Sequence, residues 1–416
     1  MSDRAPIRIA VIGAGVAGCL VVHGLAGEAD VEIFCIEKGP EANVLAGTGL
    51  NVGPNALKLL KQCNPNLEVA LRAEGVSLPW ETWTAGLTDG TVFLDLNLLQ
   101  VADNTVIRIR WAELYRQLRS PIAAHIRYNT IVVEMGYADT SAESPLYLVI
   151  EDQQTGDRQH IDHIDLIVGC DGRYSQVRTT FIDQPEPKHL GVCIYRLLVP
   201  NSPDRIIDDY QQWFYNGHRL LAFAIPGNEV YIAGSFPLAA GLEIPEEAKT
   251  PAYLRAAYEP PTGYSEVCQF LVSSVCANID QIHWARIQEI DAVFGDQRGH
   301  VLCLGDSSHA MFPTLGQGAT QAFEDGCFMA AHLKQWLANA RQKGERINIP
   351  AFVASVESIR RDRVQFAQQF SREASDALLA GFDPVTALIR KTQPAMLNQL
   401  RKLYRDTPDV RLALKR

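Results

Sequence analysis

The chain's 416 residues are enough for about two to three domain-sized units. With 47% hydrophobic and 21% charged residues it has the composition of an ordinary globular protein, which excludes the disordered and fibrous classes. A net charge of −10 argues against a general nucleic-acid binder, because such a protein needs a basic surface to displace counterions from phosphates.

From the N-terminus, Ile7–Ile12 reads as a strand, followed by a glycine turn, a helix from about Gly15 to Ala26 and a second strand, Val31–Ile36, ending at Glu37. This is a βαβ unit. Arg4 and Arg8 ahead of an apolar run give the segment a passing likeness to a signal peptide, but glycines at 13, 15 and 18 break the run. No stretch reaches the roughly 18 apolar residues of a membrane helix, so no membrane span is expected. The nine cysteines, at 19, 35, 63, 170, 193, 268, 276, 303 and 327, form neither a CxxC pair nor a cluster at zinc spacing. They read as reduced thiols in a cytoplasmic protein without a metal site.

Two later apolar runs, Ile164–Cys170 and His300–Gly305, have the pattern of buried parallel strands, and each leads into an aspartate. Regions 76–100 and 183–282 have a different texture. In the second, Arg219–Ile225 and Glu229–Ser235 alternate like strands around the turn signal Pro226-Gly-Asn, which predicts an antiparallel hairpin. Segments 1–75, 101–182 and 283–350 therefore read as a nucleotide domain split in sequence, and 76–100 and 183–282 as an inserted, mostly β substrate domain. Residues 351–416 read as a helical region, with apolar positions at Phe352, Val353, Val356 and Ile359.

Three motifs carry chemistry. Gly13-Ala14-Gly15-Val16-Ala17-Gly18 follows a strand and opens a helix, as a dinucleotide fingerprint does: Gly13 permits the tight turn, Gly15 the approach of a pyrophosphate, and Gly18 close helix–strand packing. Glu37, 24 positions after Gly13, is placed to hydrogen-bond ribose hydroxyls, with Lys38 beside it. NAD and FAD share this motif. The second motif is Asp171-Gly172-Arg-Tyr-Ser175-Gln-Val-Arg178. The third is Gly305-Asp306-Ser-Ser-His309-Ala-Met-Phe-Pro313-Thr314-Leu-Gly316-Gln317-Gly318, running into a helix expected over Ala319–Trp336.

In this order and at these spacings the three motifs resemble the single-component flavoprotein hydroxylases typified by p-hydroxybenzoate and salicylate hydroxylases, over residues 7–370, with the substrate domain matching loosely. The resemblance implies an α/β protein: a Rossmann-like FAD-binding domain discontinuous in sequence, an inserted mostly β substrate domain and C-terminal helices. It also implies FAD, NADH or NADPH as transient electron donor, O2, and a small aromatic or N-heteroaromatic substrate hydroxylated through a flavin C4a-hydroperoxide. Related folds leave open a flavin-linked reductase or oxidase, a halogenase, or a non-catalytic redox sensor. Neither the ring attacked nor the choice between monomer and homodimer is readable.

Carried onto this chain, the resemblance puts Asp306, Gly316, Gln317 and Gly318 against FAD, where a helix start would stabilise reduced flavin. It gives Asp171 and Arg178 a role toward FAD and the nicotinamide nucleotide. Where the family usually has an arginine opening a helix this chain has Trp111, so Arg110 is taken as the FAD contact, with Arg108 as runner-up. Lys38 replaces a frequent arginine. Pro313 is expected beside the reactive flavin edge, Thr314 facing the pocket, Gly49 near the flavin ring, and Asn51 near that ring as a substrate contact. His309 reads equally as a catalytic base or as a residue that only holds the loop. Arg196, Tyr215, Phe223 and Phe236 are candidate substrate contacts from the inserted domain.

Overall fold

A computed structural model describes residues 5–41, 47–141, 144–379, 381 and 383–410. Five parallel strands form the nucleotide sheet, in the spatial order Val301–Cys303, Leu166–Gly169, Ile7–Ile12, Val31–Ile36, Ile126–Arg127. The central strands are almost wholly buried, as apolar runs covered on both faces must be. Helix Val16–Leu25 is buried along most of its length because it lies between this sheet and the long helix Gln317–Lys343. Contact is close: a Cβ on Gly326 would lie 2.6 Å from the Ala17 carbonyl oxygen.

The substrate side is built on a seven-stranded sheet, in the order His283–Glu289, Lys188–Pro200, Glu229–Pro237, His218–Ile225, Tyr210–Tyr215, Thr82–Leu87, Val92–Asn97. Only the pairing of Tyr210–Tyr215 with Thr82–Leu87 is parallel. The expected hairpin is present, with Ile225 opposite Glu229 and positive φ at Gly227 and Asn228, the geometry a tight hairpin turn requires. The boundary expected at residue 283 falls one strand early. His283–Glu289 pairs with Lys188–Pro200, so it extends this sheet rather than the nucleotide domain.

Period-two alternation gives the sheet two buried faces. Cys193, Tyr195, Leu197, Phe236 and Trp213 pack under helices Pro251–Tyr258 and Glu266–Ala277. Ile194, Phe214, Leu221, Phe223 and Tyr231 share the other core with Phe370, Leu388, Leu403 and Tyr404 of the C-terminal helices Ile349–Glu373, Pro384–Lys391 and Pro394–Arg405. A small antiparallel sheet, Gly49–Val52 with Val106–Arg110 and Leu78–Trp80, joins the two halves. The long helix runs past the expected Trp336 to Lys343 and stops at Gly344, whose φ of 72° is the left-handed cap that ends many helices. No helix among the described residues is long and apolar enough to cross a membrane.

Candidate active site

A cavity of about 540 Å³ opens between the C-terminal ends of the parallel strands and the inner face of the seven-stranded sheet. Three strand ends feed it: Ile12 leads to the glycine turn, Gly169 to Cys170, and Cys303 to Asp306. Open α/β sheets bind their ligands outside these strand ends.

Two glycines of the turn, Gly13 and Gly18, can be replaced by nothing larger. Gly13 has φ +100°, and a Cβ there would lie 2.3 Å from the Cys170 carbonyl oxygen; one on Gly18 would lie 2.0 Å from that of Gly13. Gly15, Val16 and Ala17 line the cavity, and Gly15 begins the helix without a side-chain cap, so the first N–H groups are left for a ligand. Glu37 is folded onto this turn: it accepts the Ala14 N–H at 2.8 Å and the Gly39 N–H at 2.7 Å, while Arg119 lies 3.4 Å from its carboxylate and donates to the Ala14 carbonyl at 2.9 Å. Lys38 accepts a bond from Gln153 through its carbonyl and does not line the cavity.

Asp306 is the one exposed residue between Val301 and Phe312, and it lines the cavity. Its loop continues through the turn Pro313–Leu315 to Gly316, whose φ of 64° sets the start of the long helix. Gly316 and Gly318 face the cavity; Gln317 does not, because its side-chain oxygen accepts from Asn55 and Gln321 in the interior. The cradle of glycine backbone, free helix N–H groups and one exposed carboxylate fits a flavin dinucleotide.

Behind this loop lies a sealed polar network. Arg360, fully buried, donates to Glu324 at 2.6 Å and to Asp325 at 2.8 Å. Burial pushes the Asp325 carboxyl up, but His309 and Arg360 outweigh it and hold the group at about 2. Glu324 is likewise pushed up by burial and drawn below the usual carboxylate range by Arg363 and Arg360.

Several expected site residues lie elsewhere. His309 has no exposed surface; Nε2–H donates to Asp325 at 2.6 Å and Nδ1 has no partner, so it holds the loop and does not meet a ligand in the cavity. Arg178 is a buried staple, bonded to Asp183, the Ser308 carbonyl and the Asp291 carbonyl. The Asp171 carboxylate is turned into its own loop, accepting from Ser175, Gln176 and Val177 to start the helix Gln176–Phe181. Its carboxyl is raised by burial. Arg108 and Arg110 do share a strand face, but that face meets the substrate side. Arg108 donates to the Pro79 and Asp208 carbonyls and Arg110 to Glu229, and neither lines the cavity. Thr314 is bonded to Ser375 and points away, unlike its neighbours Pro313 and Leu315. Tyr215 and Phe236 are out of phase: on their strands Tyr210 and Tyr231 face inward, and odd against even positions face oppositely.

What the structure does bring together is Asn51, Gly49, Arg196, Phe223 and Pro313, with Trp80, Trp111, Tyr115, Tyr210 and Tyr231, which sequence reasoning missed. Tyr231 lies directly opposite Phe223 across the hairpin, so the turn signal carried enough register to find it. Phe223 is stacked between Tyr210 and Tyr231, with centroids 5.9 and 4.7 Å away. In this apolar wall two buried polar atoms have no partner: Asn51 Oδ1 and Arg196 Nε.

The fold and cavity define a dinucleotide-binding oxidoreductase with a separate substrate chamber. No family model matches the chain. Among characterised relatives, 3-amino-4-hydroxybenzoate 2-monooxygenase of Streptomyces cremeus is 30% identical over 342 residues, covering 78% of each chain. The 6-hydroxynicotinate 3-monooxygenase of Pseudomonas fluorescens is 26% identical over 349 residues, 79% of this chain and 83% of the relative. Among solved structures, Klebsiella pneumoniae HpxO complexed with FAD and uric acid matches with a TM-score of 0.78 at 18% identity over 97% of each chain. A salicylate hydroxylase substrate complex matches with a TM-score of 0.70 at 20% identity, over 97% of this chain and 99% of the other. The chain belongs to the FAD-dependent aromatic monooxygenases, which work with FAD and NAD(P)H. These relatives do not favour the reductase, oxidase or sensor readings.

Proposed function

We propose that the chain hydroxylates a small, electron-rich ring, with O2 as co-substrate, and that the ring sits against the Tyr210–Phe223–Tyr231 wall between Asn51, Arg196 and Pro313. The observation that carries this reading is the pair of buried polar atoms left without partners in an otherwise apolar wall, Asn51 Oδ1 and Arg196 Nε. Buried polar groups are nearly always satisfied, so a ligand is the natural partner for both.

Bound FAD supplies the redox chemistry, taking hydride from NAD(P)H and activating oxygen. In this reading the chain's part is to hold and orient. Gly13 to Gly18 would carry the pyrophosphate on backbone N–H groups, Asp306 would take the ribityl region, and the Gly316–Gly318 backbone would meet the flavin pyrimidine. The aromatic wall excludes water from the reacting edge. Burial raises the phenols of Tyr210, to about 12, and Tyr231, so both are neutral hydrogen-bond donors at physiological pH and not bases. Activation of a ring hydroxyl falls to Arg196, whose positive charge favours the ionised form.

The relatives named above act on 3-amino-4-hydroxybenzoate and 6-hydroxynicotinate, and salicylate hydroxylase on salicylate; these rings head the screen. The FAD-loaded protein, given NAD(P)H and each ring in turn, should yield a hydroxylated product. Peroxide as the sole oxygen product from every ring would contradict the reading.

A further inference from the structure

Trp111 and Tyr115 stand one turn apart on helix Trp111–Arg119, with Arg119 a further turn on, so the three share one face. The indole and phenol centroids are 5.4 Å apart, and the Arg119 guanidinium lies 4.5 Å from the Tyr115 centroid. Gly47 covers the indole, where a Cβ would lie 2.8 Å from Trp111 Cδ1. Both rings line the cavity, as do Gly15, Val16 and Ala17, and their helix packs against helix Val16–Leu25. Among the described residues no hydrogen bond engages the Trp111 indole N–H or the Tyr115 hydroxyl. Burial raises the Tyr115 phenol, against the pull of Arg119, so it is a neutral donor at physiological pH.

This end of the cavity has no free cation among the described residues. The charged side chains that line the cavity are Arg173, Arg196, Arg286 and Asp306. The three arginines belong to the substrate side: Arg196 and Arg286 stand on strands of the seven-stranded sheet, and Arg173 donates to the Gln288 carbonyl of that sheet. Nearer the glycine turn, Arg119 is matched by Glu37, and Arg110, expected to meet FAD, is matched by Glu229. What remains is Asp306, an anion. A pyrophosphate lying along Gly13 to Gly18 therefore meets the positive end of a helix and neutral donors, but no positively charged side chain.

We propose that the Trp111 indole N–H and the Tyr115 hydroxyl are the side-chain donors to the FAD pyrophosphate, and that this chain holds the cofactor without a cationic counter-charge. Both groups suit the role: an indole N–H can only donate, and bonds to an ionised oxygen are the stronger kind. With a net charge of −10 the protein as a whole repels the dinucleotide, so screening that repulsion does not loosen the complex. The proposal rests on the placement of the pyrophosphate at the glycine turn and is independent of which ring is hydroxylated.

The test dilutes FAD-loaded protein in series and reads release from the rise in flavin fluorescence. It is run at about 0.1 M and 1 M salt, between which the Debye length falls from about 10 to 3 Å. The parent's Kd should hold within about twofold or fall as salt rises; a rise of about tenfold would reveal a counter-charge and overturn the proposal. Trp111→Phe and Tyr115→Phe keep the rings and remove the donors. Each should weaken FAD binding about tenfold at both salt concentrations, with the circular dichroism of the parent. Parent-like affinity in both would overturn the proposal. Trp111→Arg should make binding salt-sensitive, weakening it at the higher concentration. Gly13→Ala separates this idea from the placement beneath it. If that variant keeps its FAD, the placement fails; if it loses FAD while both phenylalanine variants bind like the parent, the proposal fails alone.

Discussion

His309 Nε2 lies 2.6 Å from Asp325 Oδ2, and that same oxygen accepts the Gly305 N–H at 2.8 Å. One carboxylate therefore ties the histidine of the Gly-Asp motif to the residue just before Asp306, from behind the cavity wall. His309→Gln, which keeps a donor, should retain FAD and lower kcat by no more than a few-fold. A general base in that position would cost about 10²- to 10⁴-fold, so steady-state kinetics discriminate sharply.

Asp325 also sets an acid limit. Its folded pKa, about 2, is below the ordinary 3.8, so its contribution is fully present above that ordinary value and is lost as pH falls through the folded one. Asp325→Asn should lower stability at neutral pH by about 3–5 kcal/mol, the usual result of breaking a buried pair. Acid unfolding of the variant between pH 4 and 2, followed by circular dichroism, should be shallower than that of the parent.

Gly13→Ala places a methyl 2.3 Å from the Cys170 carbonyl oxygen, on a residue with φ +100°. The turn must open for it to fit. The variant should purify without FAD or lose it on dialysis, as flavin absorbance per protein reports.

Asn51→Ala and Arg196→Met remove the two unpartnered polar atoms of the chamber. Each should raise the KM for the aromatic substrate by about tenfold or more, the effect of one lost hydrogen bond of roughly 1.4 kcal/mol, with FAD content unchanged. An unchanged KM in both variants would move the ring elsewhere.

Arg178→Met separates a structural role from a nucleotide-binding one. The guanidinium is buried against Asp183 and the Ser308 carbonyl, so its loss should lower stability by about 2–4 kcal/mol, allowing for the partly exposed partner. The KM for NAD(P)H should not change. A selective rise in that KM with an unaltered thermal midpoint would restore a nucleotide-binding role.

The parallel strands, the glycine turn and the hairpin were legible because each is specified locally: apolar runs, glycines where no Cβ fits, and Pro226-Gly-Asn at a two-strand register. Asp306 and the helix start after Gly316 were legible for the same reason. What failed depended on direction. Arg108 and Arg110 were placed on one strand face correctly, but nothing local says that this face meets Pro79, Asp208 and Glu229 rather than the cavity. Tyr215 and Phe236 are each one residue out of phase with the inner face, and a single-residue shift reverses a strand side chain. His309 was ambiguous because the turn of the long helix that carries Asp325 beneath it, and the Arg360 that holds Asp325 from another helix, are set by packing and not by local sequence.

The most direct test of the central claim is oxygen tracing. FAD-loaded protein is given NAD(P)H and a ring acid such as 6-hydroxynicotinate or salicylate under oxygen-18 gas, and the product is analysed by mass spectrometry. One heavy oxygen atom on the ring is expected for each NAD(P)H consumed. Consumption of NAD(P)H with all the heavy oxygen recovered as hydrogen peroxide, whichever ring is offered, would contradict it.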